Sequence, residues 1–406
     1  MKKIRVYMVL YLFPPEYTGA SIQALNLAKK LRSKGVEVTF VTATETEEQD
    51  IQKEYEGFPV IRINNPLKSG NLSLIVYWIK LFLVLFTNRN NYDIIHCHGI
   101  SLFNCVIGAY GKVLRKATLV KTTLSVEVDK LKNAHAHGRE ARFIKFMLGR
   151  FDRIIALSSE IFDKLVLAGF DTNIVKQIPN GVDLDRFHAP KNEGDRKRLR
   201  KELGLPEGII FSYIGVIHTR KKIDWMLKCW IDHYRGNKNV FLMIAGPTAR
   251  ETIMADGGGQ DYLISLKKIV KDAGCESQVI FVPFREKVED YFKASDFFIN
   301  PSESEGLSNA LLEAMACGTV PISSRTSGAK DVIADGENGY IFNTGDKDGL
   351  LSVLKKIDNS HYNYSSVSLR AQEYILNNYS LEKISNLYRK QYNNLLETHI
   401  HGGWHK

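Results

Sequence analysis

The segment Pro301–Gly318, with the sequence PSESEGLSNALLEAMACG, combines a polar turn with the start of a helix. In the turn, Gly306 leaves the backbone free to approach a ligand closely. Ser308 and Asn309 are residue types that commonly begin helices, and the alanines, leucines and methionine after them favour helical structure. Gly318, directly after the last of these residues, is the expected end of the helix.

This turn and helix start predict a binding site for phosphate. The first N–H groups of a helix have no partner within it and lie at the positive end of its dipole, so they attract anions. Glu305 and Glu313 stand eight positions apart, about 12 Å along a helix, and ionised carboxylates accept hydrogen bonds from hydroxyl groups. Together these features predict a receptor for a sugar nucleotide. The alternative is structural, with Glu305 complementing the helix dipole and Glu313 exposed to solvent.

The rest of the chain alternates short apolar runs with amphipathic helices, in two successive series. This alternation indicates an α/β fold of parallel strands joined by helical crossovers. The predicted strands are Ile4–Tyr11, Glu37–Val41, Asp93–His96, Thr118–Lys121, Arg153–Ala156, Val175–Ile178, Ile209–Tyr213, Val240–Ala245, Val279–Val282, Phe297–Ile299, Val320–Ser323 and Tyr340–Phe342. The predicted helices include Ser21–Lys34, Leu72–Asn88, Leu102–Arg115, Ser159–Ala168 and Ser380–Leu396.

The length of 406 residues favours two domains. The polar run Ala189–Arg200 is interpreted as a linker or domain entry. We therefore predict an N-terminal domain over residues 1–188, a second domain over residues 189–375, and a C-terminal helix and tail over residues 376–406 that return to the first domain. Two such domains facing one another would form a cleft at the carboxyl ends of their strands, where open α/β sheets bind ligands.

The formal charge of +10 is unevenly distributed. Residues 112–153 carry eleven Lys and Arg against four Asp and Glu, a balance that favours anionic lipid, nucleic acid or a polyanionic substrate. No recognised nucleic-acid-binding module accompanies the charge, so nucleic acid is not expected. The run ARFIKFMLGRF (residues 141–151) is interpreted as a helix with buried aromatics and solvated cations. The alternative is a peripheral membrane face that meets a lipid-linked acceptor.

The chain is expected to work in the cytoplasm, with association at the inner face of the plasma membrane left open. Its N-terminus is better read as a buried strand than as a signal peptide, because no small-residue cleavage site follows. The apolar segment Leu72–Phe86 would span about 22 Å as a helix, short of a hydrocarbon core of about 30 Å. It is therefore interpreted as a helix packed against a sheet. The five cysteines lack the spacing of a disulfide framework or a zinc site.

Five further motifs follow a recognisable order along the chain. They are PPEYTGA (14–20), DIIHCHG (93–99), IPNGVD (178–183), RKKID (220–224) and SGAKDVIADGENGY (327–340). With the turn around Glu305, they resemble the retaining glycosyltransferases of family 4 over nearly the whole chain. The resemblance implies the GT-B fold, in which two Rossmann-like domains face one another across a cleft and a C-terminal helix crosses back to the first domain.

The resemblance implies roles for the residues of the turn. The family residue that matches Glu305 lies beside the transferred sugar, which makes Glu305 the expected catalytic residue. The residue that matches Glu313 accepts hydrogen bonds from the nucleotide ribose. The N–H groups of Gly306, Leu307 and Ser308 are expected to reach the diphosphate.

Arg220 and Lys221 are predicted to stabilise the charge that develops on a diphosphate leaving group, as fixed cations do. The family often has an arginine directly after the glycine, where this chain has Val216, so the match rests on Arg220 and Lys221. Lys222 occupies a position where the family usually has glycine, and it is expected to be solvated. A solvated charge run at a helix start is the alternative for all three.

Gly19 follows the first predicted strand, where family members commonly carry two glycines. Here Ala20 replaces the second one. Gly19 is expected to let the backbone approach the donor phosphate or the acceptor, with simple turn geometry as the alternative.

The sequence gives less information about which residues bind the acceptor. The family often places a histidine after the strand that ends at Lys121, and Leu124 stands at about that position here. His98, Thr122 and Glu127 are the predicted acceptor-side residues, with Thr123 and Ser125 as neighbours that share this expectation. His135 and His137 are expected to face solvent.

Neither a metal nor another cofactor is expected. His96 and His98 end a strand with Cys97 and Cys105 nearby, but successive residues there straddle the two faces of the strand or enter a loop, so a metal site is disfavoured. The run Asp183–Leu184–Asp185 has the DxD pattern of metal-dependent glycosyltransferases of another fold, but its place after IPNGV favours a turn cap. Side chains and helix dipoles are expected to neutralise the diphosphate.

The predicted function is transfer of a sugar from a nucleotide-diphosphate sugar to a glycan or lipid-linked acceptor, in the synthesis of cell-surface polysaccharide or glycoconjugate. The resemblance implies a hexosyltransferase that retains the anomeric configuration, and a front-face route fits because no nucleophile or general base stands out. Val282–Arg285 is a candidate contact for the nucleobase. Two alternatives stay open: a sugar-nucleotide epimerase of similar fold, and a non-catalytic scaffold that binds nucleotide sugars.

Overall fold

The computed structural model describes residues 3–14, 18–44, 53–64, 70–123, 125–132, 138–248, 259–283, 285, 287–360 and 364–401. The strands are β1 (Ile4–Leu10), β2 (Val36–Thr44), β3 (Glu54–Tyr55), β4 (Phe58–Asn64), β5 (Ile94–His98), β6 (Ala117–Lys121), β7 (Arg153–Ala156), β8 (Val175–Gln177), β9 (Ile209–Ile214), β10 (Val240–Ala245), β11 (Val279–Val282), β12 (Phe297–Asn300), β13 (Val320–Ser324) and β14 (Tyr340–Phe342). The helices are α1 (Gly19–Arg32), α2 (Asn71–Thr87), α3 (Ile107–Leu114), α4 (Ser125–Lys132), α5 (Gly138–Leu148), α6 (Ser159–Leu167), α7 (Glu193–Glu202), α8 (Ile223–Tyr234), α9 (Gly259–Asp272), α10 (Glu289–Ala294), α11 (Asn309–Ala316), α12 (Ala329–Val332), α13 (Lys347–Asn359), α14 (Ser365–Asn378) and α15 (Leu381–His401).

These elements form two compact units. Unit 1 comprises Met1–Gly181 together with Leu381–Lys406, and unit 2 comprises Val182–Ser380. The boundary predicted at residue 188 falls a few residues after this division, and the one predicted at residue 376 falls a few residues before it.

The sheet of unit 1 has the strand order β3-β4-β2-β1-β5-β6-β7-β8. Its pairs are parallel except for the short antiparallel pair of β3 and β4. In register, Val6 of β1 lies opposite Val38 of β2 and Ile94 of β5. β5 and β6 are buried along their whole length, as expected for parallel strands with both faces covered.

The sheet of unit 2 is parallel throughout, in the order β11-β10-β9-β12-β13-β14. Counted from its own first strand, this is the 3-2-1-4-5-6 order of doubly wound nucleotide-binding folds. The α/β class with two Rossmann-like sheets, predicted from the alternation of apolar runs and helices, is therefore confirmed.

In each sheet the winding direction reverses beside the first strand of the unit. The reversal lies between β1 and β5 in unit 1 and between β9 and β12 in unit 2. Chain segments that leave the two strands turn to opposite faces of the sheet, so a crevice opens at the carboxyl edge, and such sheets bind their ligands there. The residues directly after β1, β5, β9 and β12 are therefore the ones that the fold offers to a ligand.

The C-terminal helix α15 completes the core of unit 1. Its residues Ile384, Tyr388, Tyr392 and Leu395 belong to the same buried cluster as the strands β1 and β2. The hydroxyl of Tyr392 lies 2.7 Å from Nδ1 of the buried His96. Unit 1 is thus assembled from two segments that flank unit 2 in sequence.

All predicted strands are present, with small shifts at their ends, but β3 and β4 are missing from the prediction. β4 contains Pro59, and proline cannot donate a hydrogen bond to a ladder, which argues against a strand. In the structure Pro59 lies opposite the two-residue β3 at the edge of the sheet, where that loss matters little.

The run Ala189–Arg200, interpreted as a linker or domain entry, contains the start of the helix α7 (Glu193–Glu202), so it is not an extended linker from residue 193 onward. Asn192 caps this helix, and its side chain accepts a hydrogen bond of 2.9 Å from an N–H of the first turn. Arg196 and Arg200 then lie 3.0 and 2.7 Å from the carboxylate of Asp296. The many charges of this run suggested that it is exposed to solvent, whereas Arg196 and Arg200 both form ion pairs with the buried carboxylate of Asp296.

Two further predictions need correction in unit 1. The predicted helix Leu102–Arg115 begins only at Ile107, because turns occupy the preceding residues. The aromatics of residues 141–151 are not uniformly buried: Phe143 is 36% exposed and Phe146 is 60% exposed, whereas Phe151 is buried. α5 contributes only Ala141 and Leu148 to the interior, so it packs by a narrower face than its pattern indicates.

Other local interpretations are confirmed. The backbone N–H of Asp185 donates to the carboxylate of Asp183 at 3.1 Å, which makes this motif a turn cap. α2 packs against β4 through its buried residues. In the portion of the chain that the structure describes, we find no helix with the length and apolarity needed to cross a membrane.

Candidate functional site

The segments after β9 and β12 lie side by side at the reversal point of unit 2. The backbone N–H of Glu303 donates to the carbonyl of Arg220 at 3.2 Å. The guanidinium of Arg220 in turn donates to the carbonyl of Ser304 at 2.8 Å. These bonds fix the two segments to one another and bring the predicted phosphate-binding cations next to the turn.

Glu305 is the centre of this arrangement. Its side chain is buried, it accepts a hydrogen bond from the ammonium of Lys221, and its Oε1 lies 3.8 Å from the guanidinium of Arg220. Burial by itself raises the pKa of the Glu305 carboxyl. The charges of Lys221 and Arg220, together with the hydrogen bond from Lys221, outweigh that effect, so the pKa lies below its ordinary value. Glu305 is therefore an ionised carboxylate at neutral pH.

A single 3-10 turn places the two cations. Its residues are Thr219–Lys221, and the ring Nδ1 of His218 accepts a hydrogen bond of 3.1 Å from the N–H of Arg220. The turn ends at Lys222, whose φ of 51° is left-handed, and this is the conformation for which glycine is usually chosen. The ammonium of Lys222 is exposed and lies 3.3 Å from the carboxylate of Glu303, as expected for a solvated lysine.

Buried hydroxyl and amide groups hold the turn after β12 in place through hydrogen bonds on its interior side. Ser302 donates from its hydroxyl to the side-chain carbonyl of Asn300 at 3.0 Å, and Ser324 donates to the carbonyl of Ser302 at 2.6 Å. All three residues are almost wholly buried. The polar run that sequence analysis assigned to a turn is therefore an internal hydrogen-bond network, as buried polar groups require.

Gly328 is a site residue to which the sequence analysis gave no role. A Cβ atom at this position would lie 2.5 Å from the carbonyl oxygen of Gly306 and 2.6 Å from the Cα of Leu307. Any larger side chain would displace the turn that carries Glu305. The only signal in the sequence was the glycine within SGAKDV.

The helix start in the opening motif is confirmed. Ser308 is the N-cap of α11, and its hydroxyl accepts a hydrogen bond of 3.4 Å from the N–H of Leu311. The helix ends before Gly318, which has a φ of 75°. The N–H groups of Gly306, Leu307 and Ser308 thus precede a short helix whose positive end adjoins Glu305, Arg220 and Lys221.

Glu313 lies on α11 and is partly buried. Burial raises the pKa of its carboxyl to about 7, with the nearby Arg186 opposing the shift and Glu289 adding to it. Arg186 and Glu289 are themselves paired at 2.7 Å, so the arginine is only partly available to Glu313. A fully solvated helix residue, the structural alternative for Glu313, does not fit this environment.

In unit 1, Gly19 is the first residue of α1. Thr18 caps that helix: its hydroxyl accepts from the N–H of Ser21 at 3.1 Å, and its own N–H donates to the hydroxyl of Ser21 at 3.0 Å. This reciprocal capping box fixes the helix start at the reversal point of the sheet. Three residues of the PPEYTGA motif, 15–17, lie outside the described residues.

The acceptor-side candidates follow two adjacent strands. His98 ends β5, and its buried ring stacks on His96 with centroids 4.3 Å apart. Burial, His96 and Lys121 lower the pKa of His98 well below its ordinary value, so the ring is neutral.

Thr122 follows β6, and its buried hydroxyl accepts from the N–H of Leu157 at 3.3 Å. Glu127 lies on α4 and accepts a hydrogen bond of 2.9 Å from the hydroxyl of Thr123.

Lys121 is the main feature of unit 1 that the sequence analysis missed. It ends β6, only 4% of it is exposed, and its ammonium lies 5.7 Å from the ring centroid of Tyr388. Burial lowers the pKa of this amine to about 7. Nε2 of His96, Nε2 of His98 and the hydroxyl of Tyr388 are buried without a hydrogen-bond partner in the described portion of the chain. The only signal was a lysine at the end of an otherwise apolar strand.

Four other predicted positions cannot be placed. Leu124, His135 and His137 lie outside the described residues, as does Phe284 within the nucleobase candidate Val282–Arg285.

Comparison with known proteins assigns the class. Residues 17–186 match the model described as Glycosyltransferase Family 4, and residues 195–367 match the model described as Glycosyl transferases group 1. The chain therefore belongs to the glycosyltransferases, with a family 4 domain followed by a group 1 domain. The family predicted from the ordered motifs is confirmed.

Two named relatives illustrate how far the similarity extends. A D-inositol 3-phosphate glycosyltransferase 2 of Catenulispora acidiphila is 30% identical over 199 residues, which are 47% of this chain and 44% of that protein. An N-acetyl-alpha-D-glucosaminyl L-malate synthase of Bacillus anthracis is 22% identical over 408 residues, which cover 98% of this chain and 99% of that protein.

Solved structures confirm the predicted GT-B fold class. The sucrose-phosphate synthase of Thermosynechococcus elongatus has a TM-score of 0.79 at 19% identity, covering 98% of this chain and 100% of that one. Anabaena Alr3699/HepE, solved in complex with UDP and glucose, has a TM-score of 0.76 at 19% identity, covering 96% and 99%.

Replacing Lys121 by methionine is expected to raise the free energy of unfolding near and below pH 7, and the gain should shrink toward pH 10.5. The amine has a pKa of about 7 when folded and 10.5 as its ordinary value. Between these values the unfolded chain binds more protons, so the wild-type protein gains stability as the pH rises. The gain at low pH amounts to a few kcal/mol, at about 1.4 kcal/mol per pKa unit.

Urea unfolding across this pH range measures the effect. Lys176→Met is the control, because the ammonium of Lys176 donates to the carbonyl of Thr172 in an exposed position. A Lys121→Met variant whose stability difference from wild type stays constant with pH would contradict the assignment.

The Glu313→Gln variant should gain stability relative to wild type as the pH rises from 4.5 to 7, in the absence of nucleotide. The carboxyl has a folded-state pKa of about 7 and an ordinary value of 4.5. The folded wild-type protein therefore binds more protons in this window and loses stability as the pH rises, by on the order of 1–3 kcal/mol. Thermal unfolding at several pH values is the measurement, with the exposed Glu337→Gln as control. Parallel curves for the Glu313→Gln variant and wild type would refute the shift.

Proposed function

We propose that this glycosyltransferase transfers a sugar from a nucleoside-diphosphate sugar to an acceptor hydroxyl, with retention of the anomeric configuration. The observation that carries the proposal is the buried, ionised Glu305 paired with Lys221 beside Arg220, at the reversal point of unit 2. A carboxylate, two cations and a capped helix start lie together where a doubly wound sheet binds nucleotides.

The cations and the backbone amides suit the diphosphate. When the bond between the sugar and the phosphate breaks, negative charge collects on the leaving phosphate oxygen. Fixed positive groups stabilise that charge without having to reorganise. Arg220 and Lys221 are held in place by Ser304 and Glu305, so they supply this stabilisation. We therefore propose that the reaction needs no divalent metal.

The two carboxylates suit hydroxyl groups of the donor. Glu305 is ionised and can only accept hydrogen bonds, which matches the hydroxyls of the transferred sugar. Glu313 has a pKa near neutrality, and hydrogen bonds from ribose hydroxyls would favour its ionised form. A solved neighbour contains UDP and glucose, which supports a nucleotide sugar as donor and makes UDP-glucose the first probe.

Retention is proposed to proceed on one face of the sugar. The acceptor oxygen forms a bond to the anomeric carbon on the side from which the phosphate leaves, and the acceptor proton passes to the departing phosphate oxygen. This route needs no protein nucleophile. Glu305 is the carboxylate that the turn positions at this site. The hydrogen bond and the charge of Lys221 lower its basicity and nucleophilicity, so it is a poor nucleophile.

The acceptor is proposed to bind in unit 1, at the segments that follow β1, β5 and β6. Gly19 at the start of α1 and the strand-end residues His98 and Thr122 lie there, with Glu127 a short way into α4. A glycan or lipid-linked acceptor fits the predicted role in cell-surface polysaccharide or glycoconjugate synthesis. The relatives carry names that refer to smaller acceptors, an inositol phosphate and L-malate, so small polyols and hydroxy acids belong in the acceptor panel.

Charge removal at the ion pair is expected to abolish turnover selectively. Glu305→Gln and Lys221→Met should each lower the release of UDP from UDP-glucose, or sugar transfer once an acceptor is known, by roughly 10²-fold or more. The matched controls are Glu303→Gln and Lys222→Met. They alter the neighbouring exposed pair of the same turn and should change the rate by no more than about twofold.

Thermal unfolding with and without UDP separates binding from catalysis, because a ligand that binds the folded state raises its stability. Equal losses in the Glu305 and Glu303 variants would contradict a specific role for Glu305. A Glu305→Gln variant that turns over donor at the wild-type rate would remove its catalytic assignment.

The stereochemical proposal is tested by proton NMR of the product formed from UDP-glucose and an acceptor from the panel. The α-configured donor should give an α-configured product, and the rate should be unchanged after treatment with EDTA. A β-configured product would overturn retention, and a rate restored only by Mg²⁺ or Mn²⁺ would overturn metal independence. An epimer of the donor, formed without acceptor, would favour the epimerase alternative instead.

A further inference from the structure

The helix α2 exposes an apolar face that the fold does not cover. It is 17 residues long, and Lys80 is its only charged residue. Its buried face consists of Ser73, Tyr77, Leu81 and Leu85. The opposite face carries five large apolar side chains with exposed fractions between 44% and 65%: Leu72, Ile75, Ile79, Leu83 and Phe86.

This exposed face is a continuous stripe along the helix. Steps of three or four residues separate its members, which places them on one side of an α-helix. The side chains between the two faces turn inward: Nε1 of Trp78 donates to the carbonyl of Leu102 at 2.9 Å, and the ammonium of Lys80 donates to the carbonyl of Asn64 at 2.8 Å. Trp78 and Lys80 thus use their polar groups within unit 1, and the exposed stripe itself carries no polar side chain.

The stripe continues onto α5. The ring of Trp78 lies 5.8 Å from the ring of Phe143, which is itself partly exposed. One turn further, Phe146 is 60% exposed, and the guanidinium of Arg150 lies 4.7 Å from its ring centroid. Phe143 and Phe146 therefore extend the apolar surface of α2 toward a helix rich in cations.

Exposed arginines border this apolar surface. Arg139 and Arg142 are exposed on α5, and Arg150 follows that helix. At the end of α2, Arg89 is exposed, and its guanidinium lies 4.6 Å from the ring of Phe86. Glu140 is the acidic residue among them. An apolar stripe with a cationic border is the pattern of a helix that lies in the interface of an anionic membrane.

We propose that α2, together with the exposed aromatics of α5, docks unit 1 on an anionic lipid bilayer. The stripe consists of Leu, Ile and Phe without a hydrogen-bonding group, which suits hydrocarbon, and the exposed arginines at its border suit anionic headgroups. At about 26 Å, α2 is too short to span a bilayer upright, so its apolar face enters one leaflet only. The proposal does not depend on the donor chemistry.

The structure places the candidate membrane-binding surface on different residues from those that the sequence indicated. The sequence placed the candidate membrane face in the basic segment 112–153 and interpreted Leu72–Phe86 as a packed helix. Part of the basic charge is used internally, since Lys121 is buried, Lys116 donates to the carbonyl of Tyr92, and Lys112 pairs with Asp152. The inserting element is α2, and the segment supplies its cationic border.

Vesicle flotation of the full chain tests the proposal. The probes are phosphatidylcholine vesicles with and without phosphatidylglycerol. Wild type should float with the anionic vesicles, and Ile79→Asp/Leu83→Asp should lower the bound fraction at least about tenfold. The matched control is Leu369→Asp/Leu376→Asp on α14, which alters two leucines with similar exposure, 55% and 52%, and should float like wild type.

The electrostatic part has its own variant. Arg139→Gln/Arg142→Gln should weaken binding to the anionic vesicles by about fivefold for each arginine, since one cation near such a surface contributes about 1 kcal/mol. Binding to neutral vesicles should not change. Circular dichroism and thermal unfolding verify that each variant is folded.

Three results would overturn the proposal. One is a wild-type chain that does not float with phosphatidylglycerol vesicles, and another is equal flotation of the α2 and α14 variants. A concentration-dependent dimer in light scattering that Ile79→Asp/Leu83→Asp abolishes, without vesicle binding by wild type, would show that a second copy of the chain covers this face. UDP release from UDP-glucose in the absence of vesicles is measured in parallel, so that failure of the docking surface is distinguished from failure of the donor site.

Discussion

The buried pair of Lys221 and Glu305 is the constraint on which the structure of unit 2 at its reversal point depends. A charge removed from water is costly unless it is paired and hydrogen-bonded, and here each partner comes from a different strand end. The carboxylate therefore fixes the segment after β9, and the ammonium fixes the turn after β12. Two further bonds, from Glu303 to Arg220 and from Arg220 to Ser304, lock the same two segments together.

Several local features of unit 2 follow from holding these segments in one geometry. Lys222 adopts a left-handed φ, which a residue other than glycine adopts at some cost. Gly328 has no room for a Cβ atom next to Gly306. The side chains of Asn300 and Ser302 are buried and hydrogen-bonded beneath the turn. Each of these features lowers stability or limits which residue the position tolerates. Each is explained by the need to hold Glu305 in its observed position.

The sequence predicted the parts of the molecule that depend on local periodicity and on helix-start chemistry. The strand-turn-helix around Glu305 belongs here, because Ser308 caps α11 through a contact three residues away. Both doubly wound sheets follow from alternating apolar runs. The family could be recognised because its motifs occur in order, although none of them would suffice alone.

What the sequence did not predict depends on contacts between distant residues. Lys121 looks like any lysine at the end of a strand until α15 covers it with Tyr388. The charge run of α7 looks solvated until Asp296, about a hundred residues later, is seen to pair with Arg196 and Arg200. The exposure of Ile79 and Leu83 could not be inferred either, because an apolar helix in an α/β sequence is usually buried on all sides.

The assembly of unit 1 from segments that precede and follow unit 2 has a consequence for biosynthesis. The ribosome makes β1 before unit 2 and α15 after it, yet Ile384, Tyr392 and Leu395 fill the same core as β1 and β2. A nascent chain that has emerged only as far as unit 2 must therefore carry an unfinished apolar surface on its N-terminal sheet. Unit 2 is continuous in sequence. It can therefore fold as soon as it has been synthesised, because its internal contacts involve no residues made later. Unit 1, whose sheet is made before unit 2, thus finishes folding after unit 2, and the apolar surface of that sheet stays exposed until α15 has been made.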